Sequence, residues 1–326
     1  MTLLNFFCAA VLASCPLLFG TLGESLSEKS GSLNLGVEGM MFMGAVAGLA
    51  GSFYYEQSAA NPIAAVSVII AILCAFLCAA FGALIYSVIT ITLRANQNVT
   101  GLALTIFGTG FGNFVGEAIG NASGGYVVVS EVTKNAFNVP LFQGLANIPV
   151  VGKLLFSYNF MVYLGIACAI VLAILLKHSR TGLNLRAVGE SPATADAAGI
   201  NVNRYKYLST VIGGGITGLG GLYIVMNSAN GVGGVWVHNC VAGYGWLAVA
   251  LVIFATWNPS RAVLCAFIFG ALSVMRLYVP LGIPDQIYEI FPYIATVIVL
   301  IIVSLRKKRE NQPPASLGLA YFREER

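Results

Sequence analysis

The chain has 326 residues, 58% of them hydrophobic and 9% charged, with a formal net charge of +4. Soluble domains carry about 25% charged residues, and here the apolar excess falls in blocks of roughly 20 residues, the length a helix needs to cross a bilayer. That excludes a soluble globular domain. It leaves an all-α, polytopic bundle of transmembrane helices, in which the net charge reports topology and implies no nucleic-acid partner.

Apolar blocks bounded by charge, Gly and Pro predict nine spans, at 3–22, 35–54, 63–91, 99–117, 156–176, 206–227, 240–256, 260–279 and 288–305. Within the first, Leu12-Ala13-Ser14-Cys15 has the residue types of a lipoprotein processing site. Residues 1–11 carry no Lys or Arg, however, and the apolar run continues to Leu22, so a retained span is expected. The second span holds Glu38, the conspicuous ionisable group, about one turn inside. It either caps the amides of Asn34 to Gly36 at the interface or stands as a path-lining or structural polar group. The third block exceeds one crossing and is expected to tilt or break. The fourth sets Thr105, Thr109 and Asn113 on one face and Phe107, Phe111 and Phe114 on another. Such a helix either lines a watery path with rings for a sugar or base, or makes interhelical hydrogen bonds.

Residues 118–155 form the sizeable extracytoplasmic segment, rich in Gly and Asn. It is long for a bare loop, which predicts a short helix or re-entrant piece able to dock a partner. After the fifth span comes a polar insert, 177–206, with Lys177, Arg180, Arg186, Arg204 and Lys206 against Glu190 and Asp196. Inside it Ser191 or Glu190 can cap a short helix that starts at Pro192, runs through Ala193 to Ala198 and ends at Gly199. The small residues Ala193, Ala195, Ala197 and Ala198 are expected to leave a low surface for a groove in a soluble partner. With the N-terminus outside, fourteen of the seventeen basic residues, including this insert and the 306–326 tail, lie in the cytoplasm; Lys134, Lys153 and Arg276 stay outside.

Glycines Gly213 to Gly221 lie in a span without a following lysine, so they suit close helix packing and not a phosphate-binding loop. Asn61-Pro62 and Asn258-Pro259 each follow a Gly-rich span (Gly36 to Gly51, Gly243 to Trp257) and precede the runs CAAFGAL and CAFIFGAL. By this topology the two face opposite sides, as an inverted internal repeat would place them. Seven scattered cysteines without a C-x-x-C pair, and two histidines, His178 and His238, predict neither a metal site nor a catalytic triad. The residues alone also leave open an ion-coupled secondary transporter, which would lean on Glu38, and a channel subunit.

The stretches NLGVEGMMFMGAVAG, from Asn34, and TGLNLRAVGESPATADAAGI, within the insert, resemble the permease subunits of bacterial ABC importers for simple sugars and nucleosides. The Gly-Val-Glu-Gly version of the first motif and the tail PPASLGLAYFREER look more like the nucleoside-type branch. The fourth span departs from the family near Thr105, where an Asn is the more usual residue. The resemblance implies one multi-pass permease domain in the bacterial inner membrane, with no catalysis and no cofactor of its own. ATP would act through separate ATP-binding subunits. A second permease subunit, heterodimeric in preference to homodimeric, and an extracytoplasmic substrate-binding protein complete the expected partners, with membrane lipid around the bundle. The resemblance places coupling to the ATPase on Arg186, Gly189, Glu190, Ser191, Pro192, Ala195, Asp196 and Gly199. It leaves Asn34, Glu38, Thr105, Thr109, Phe111 and Asn113 as path-lining or structural polar positions.

Overall fold

The computed structural model describes residues 2–146, 148, 150–227, 233–279, 284–305 and 312–323. In chain order its helices are α1 (Thr2–Lys29), α2 (Val37–Ser58), α3 (Ala64–Ser87), α4 (Gln97–Ala122), α5 (Glu131–Asn138), α6 (Gln143–Ala146) and α7 (Val151–Phe156). There follow α8 (Phe160–His178), α9 (Arg180–Glu190), α10 (Pro192–Ala197), α11 (Val202–Met226), α12 (Tyr244–Phe254), α13 (Pro259–Tyr278) and α14 (Asp285–Leu305). Among the described residues, α1, α2, α3, α4, α8, α11 and α13 are long and apolar enough to cross a membrane, and α12 and the middle of α14 are shorter apolar helices. These nine fall on the nine predicted spans.

The extent of α1 is a correction. The apolar run stops at Leu22, but the helix continues to Lys29 and buries Glu24 and Glu28, which are 1% and 2% exposed. Charge ends a span only where water must solvate it; here neighbouring helices take that place, so Glu38 is not the lone conspicuous carboxyl within these helices. The overlong third block resolves into α3 and a π-helical turn at Val88–Thr92, after which Arg94 takes a left-handed conformation (φ 58°) and the chain reverses.

Two helices, α2 and α11, form the centre, with α1, α3 and α4 packed around them. Small residues let the backbones meet. A Cβ on Gly221 of α11 would lie 1.9 Å from the Met41 carbonyl oxygen of α2, and one on Gly108 of α4 would lie 2.4 Å from that of Gly39. At the periphery Ile69, Leu73, Leu77 and Phe81 expose one stripe of α3, an apolar rim suited to lipid. At the bundle end remote from the insert, Glu56 of α2 accepts the Ser130 amide and hydroxyl, each at 2.7 Å, and so caps α5 across the chain. Val128 bridges to Val235 beside it.

Candidate functional site

The insert folds as two helices. Ser179 caps α9 by accepting the Gly182 amide at 2.9 Å. Ser191 then caps α10, its Oγ 3.4 Å from the Thr194 amide, with Pro192 at the first position. The end of α10 is a Schellman turn: the Gly199 amide bonds the Asp196 carbonyl and the Ile200 amide the Ala195 carbonyl, both at 3.0 Å, with Gly199 at φ 82°. Glu190 is the last residue of α9 and not a cap. The expected low surface is also revised. Ala193, Ala197 and Ala198 are exposed, but Ala195, on the other side of a six-residue helix, is buried with Val188 and Val202.

That small core seats the insert on the bundle. Gly189 packs so closely on the end of α1 that a Cβ there would lie 2.3 Å from the Lys29 carbonyl oxygen. Val202 opens α11 directly after the insert. Arg186 and Glu190 are exposed and flank Lys29. The tail returns to the same place. Ser316 donates its amide to the Gly189 carbonyl at 3.0 Å, Gly318 reaches Gly31, and Tyr321 donates its hydroxyl to Asp196 at 2.9 Å. Arg323 pairs with Asp196 at 3.1 Å, and Arg94 stacks over the Phe322 ring. A cavity of about 440 Å³ opens between the tail, α10 and the turn after α3, lined by Arg94, Asp196, Asn201 and Tyr321 among others.

A second polar locus lies inside the bundle, where the first turns of α2 and α12 meet. Gly243, in a left-handed conformation, precedes α12 and offers no side-chain cap. Glu38 supplies it from 205 residues away: its Oε2 accepts the Gly243 amide at 3.1 Å, and the Gly245 and Trp246 amides face the same carboxylate. The amide of Gly36 is instead taken by Asn34 Oδ1 at 2.9 Å, so Glu38 does not cap the Asn34 to Gly36 segment. From this junction α2 runs toward Glu56 and α12 toward Trp257 at the insert end, in opposed directions.

The polar positions of α4 divide. Thr105 donates to the Leu35 carbonyl at 2.8 Å, joining Asn34 and Glu38 at the start of α2. Asn113 exchanges two hydrogen bonds with Asn239, whose φ is 56°, and so holds the chain ahead of α12. Thr109 is half-exposed, and Phe111 stacks on the exposed Phe107 at 6.1 Å between centroids. Sequence reasoning missed α9, the returning tail and the Glu24/Glu28 pair. The apolar LGLAYF within a polar tail and the i, i+4 spacing of two glutamates were the available signals.

The family described as branched-chain amino acid transport system / permease component matches residues 7–301. The chain is 33% identical to the putative glucose ABC transporter permease protein TsgC13 of Haloferax volcanii, over 97% of each. It is 32% identical to the nucleoside ABC transporter permease protein NupC of Lactococcus lactis, over 89% of each. It is also 32% identical to the guanosine ABC transporter permease protein NupQ of Bacillus subtilis, over 90% of this chain and 89% of the relative. No solved structure matches.

Proposed function

We propose that this chain, which belongs to the family of transport-system permease components, forms the membrane path of an ATP-binding cassette importer for a purine-type nucleoside. It is a multi-pass membrane protein, and its family implies ATP-binding and substrate-binding partners. The nucleoside reading is carried by one observation: identity of 32% to permeases named for nucleosides and guanosine, sustained over about nine-tenths of the chain. A simple sugar is the second reading, favoured by the relative named for glucose.

In this reading the insert end faces the cytoplasm, following the basic residues, and an ATPase receives the exposed side of α10. Closure of the ATPase presses on α10. The contacts of Gly189 with Lys29 and of Ala195 with Val188 and Val202 then pass the displacement to α1 and α11. Because α11 lies against α2, the Glu38 junction moves with it, and the path opens alternately to each side. A second permease subunit, by resemblance a different chain, completes the path.

The test is uptake into proteoliposomes holding this chain with an ATP-binding subunit, a second permease and a substrate-binding protein that co-purify with it. Labelled guanosine should enter only with internal ATP and be displaced by adenosine and not by glucose. Entry of glucose alone replaces the solute. Uptake that follows an ion gradient without ATP overturns the reading.

A further inference from the structure

The last two turns of α1 bury a carboxyl pair that the transport reading does not use. Glu24 and Glu28 stand one helical turn apart and are 1% and 2% exposed. At i and i+4 on α1 they share one helix face, which makes their carboxyls neighbours. The donors around them are few. Glu24 Oε1 accepts the Asn34 amide at 2.9 Å. Glu28 Oε2 accepts the indole N–H of Trp257. Glu24 Oε2 is buried with no hydrogen-bond partner.

The neighbouring polar groups are committed elsewhere. Tyr86 donates its hydroxyl to the Leu33 carbonyl at 2.6 Å, and Lys29 lies among Glu190 and Arg186 as well as beside Glu28. Among the described residues no Lys or Arg forms an ion pair with either carboxyl. Two ionised carboxylates side by side, each with one donor, would be two like charges out of water whose desolvation is left uncompensated. A proton on Glu24 Oε2 removes the repulsion and supplies the missing bond.

We propose that Glu24 and Glu28 are a single-proton site, in which Glu24 is held as the acid and donates its O–H to the Glu28 carboxylate. Glu28 then accepts two hydrogen bonds, from Glu24 and from Trp257, and retains one negative charge.

The site has a structural consequence. Thr256 and Trp257 both take left-handed backbone conformations, φ 51° and 53°, which residues with a Cβ adopt only when their surroundings hold them there. The Trp257 bond to Glu28 and the Arg261 bond to the Thr256 hydroxyl, at 2.5 Å, hold that corner. Glu24 holds the lead into α2 through Asn34. One shared proton therefore pins the ends of α1, α12 and the Asn34 turn together, directly beneath the place where Gly189 of the insert rests on Lys29.

The experiment is infrared spectroscopy of the purified full-length protein at neutral pH in sodium, potassium or choline chloride. The observable is the carbonyl stretch of a protonated carboxyl. Wild type should show it in all three salts, and carbon-13 labelling of glutamate should shift it. Glu24→Gln should lose a band equivalent to one acid, whereas Glu38→Gln should keep it. No glutamate-derived band in wild type overturns the proposal without recourse to any variant. So does a band unchanged in Glu24→Gln, or one present only in choline, which would mean that an alkali cation occupies the pair.

Discussion

Removing the Glu38 carboxylate tests whether it is a helix cap or a group met by the solute. Glu38 is 8% exposed, and its carboxylate receives the Gly243 amide at 3.1 Å, with the Gly245 and Trp246 amides beside it. Glu38→Ala leaves these donors at the start of α12 without an acceptor in the interior. Hydrogen bonds to a charged group contribute about 1.5–3 kcal/mol, and a buried donor left unmade costs about 1–3 kcal/mol. With Gly243 unable to cap, the loss should be about 3 kcal/mol. Glu38→Gln keeps a carbonyl acceptor and loses mainly the charge at the helix N-terminus, about 1 kcal/mol. Thermal unfolding in detergent should therefore rank wild type above Glu38→Gln above Glu38→Ala, with uptake falling in the same order. Two variants that melt like wild type yet abolish uptake would refute the capping argument and make Glu38 a path-lining group.

Two further outcomes separate packing from docking. Ala195→Trp should lower the melting temperature of the permease by itself, because overpacking the Val188, Ala195 and Val202 core costs about 1–3 kcal/mol; a variant as stable as wild type would mean that Ala195 is not enclosed. Ala193→Trp, on the exposed side of α10, should leave melting unchanged but reduce co-purification of the ATPase and ATP-driven uptake, and intact coupling would count against docking there. Gly221→Ala should sharply reduce the yield of folded protein, since its Cβ would lie 1.9 Å from the Met41 carbonyl oxygen. Wild-type yield and melting from that variant would show that α2 and α11 separate easily.

Much of the architecture was readable from the chain because its signals are local. Apolar length sets where a helix can cross, and the nine predicted blocks became nine apolar helices. Ser191, Pro192 and Gly199 fix the start and stop of α10 by capping and backbone preference, which neighbours in sequence decide. The glycines of α11 marked a close-packed helix for a similarly direct reason: nothing on a Gly keeps another backbone away.

What escaped the sequence depends on partners far along the chain. A glutamate after an apolar run looks like the end of a span, yet Glu24 and Glu28 stay inside because Asn34 and Trp257 supply donors that only the folded bundle brings near. Glu38 was legible as an important carboxyl, but not as the cap of a helix 205 residues distant. Ala195 could not be told from Ala193 by composition; the side of α10 that meets Val188 and Val202 decided it. The sequence by itself determined which segments are apolar helices and where the polar insert lies, since apolar length and capping act over a few residues. Tertiary structure decided which buried polar groups are satisfied and which surface of the insert is free, since a hydrogen-bond donor or a packing neighbour counts by its distance in space.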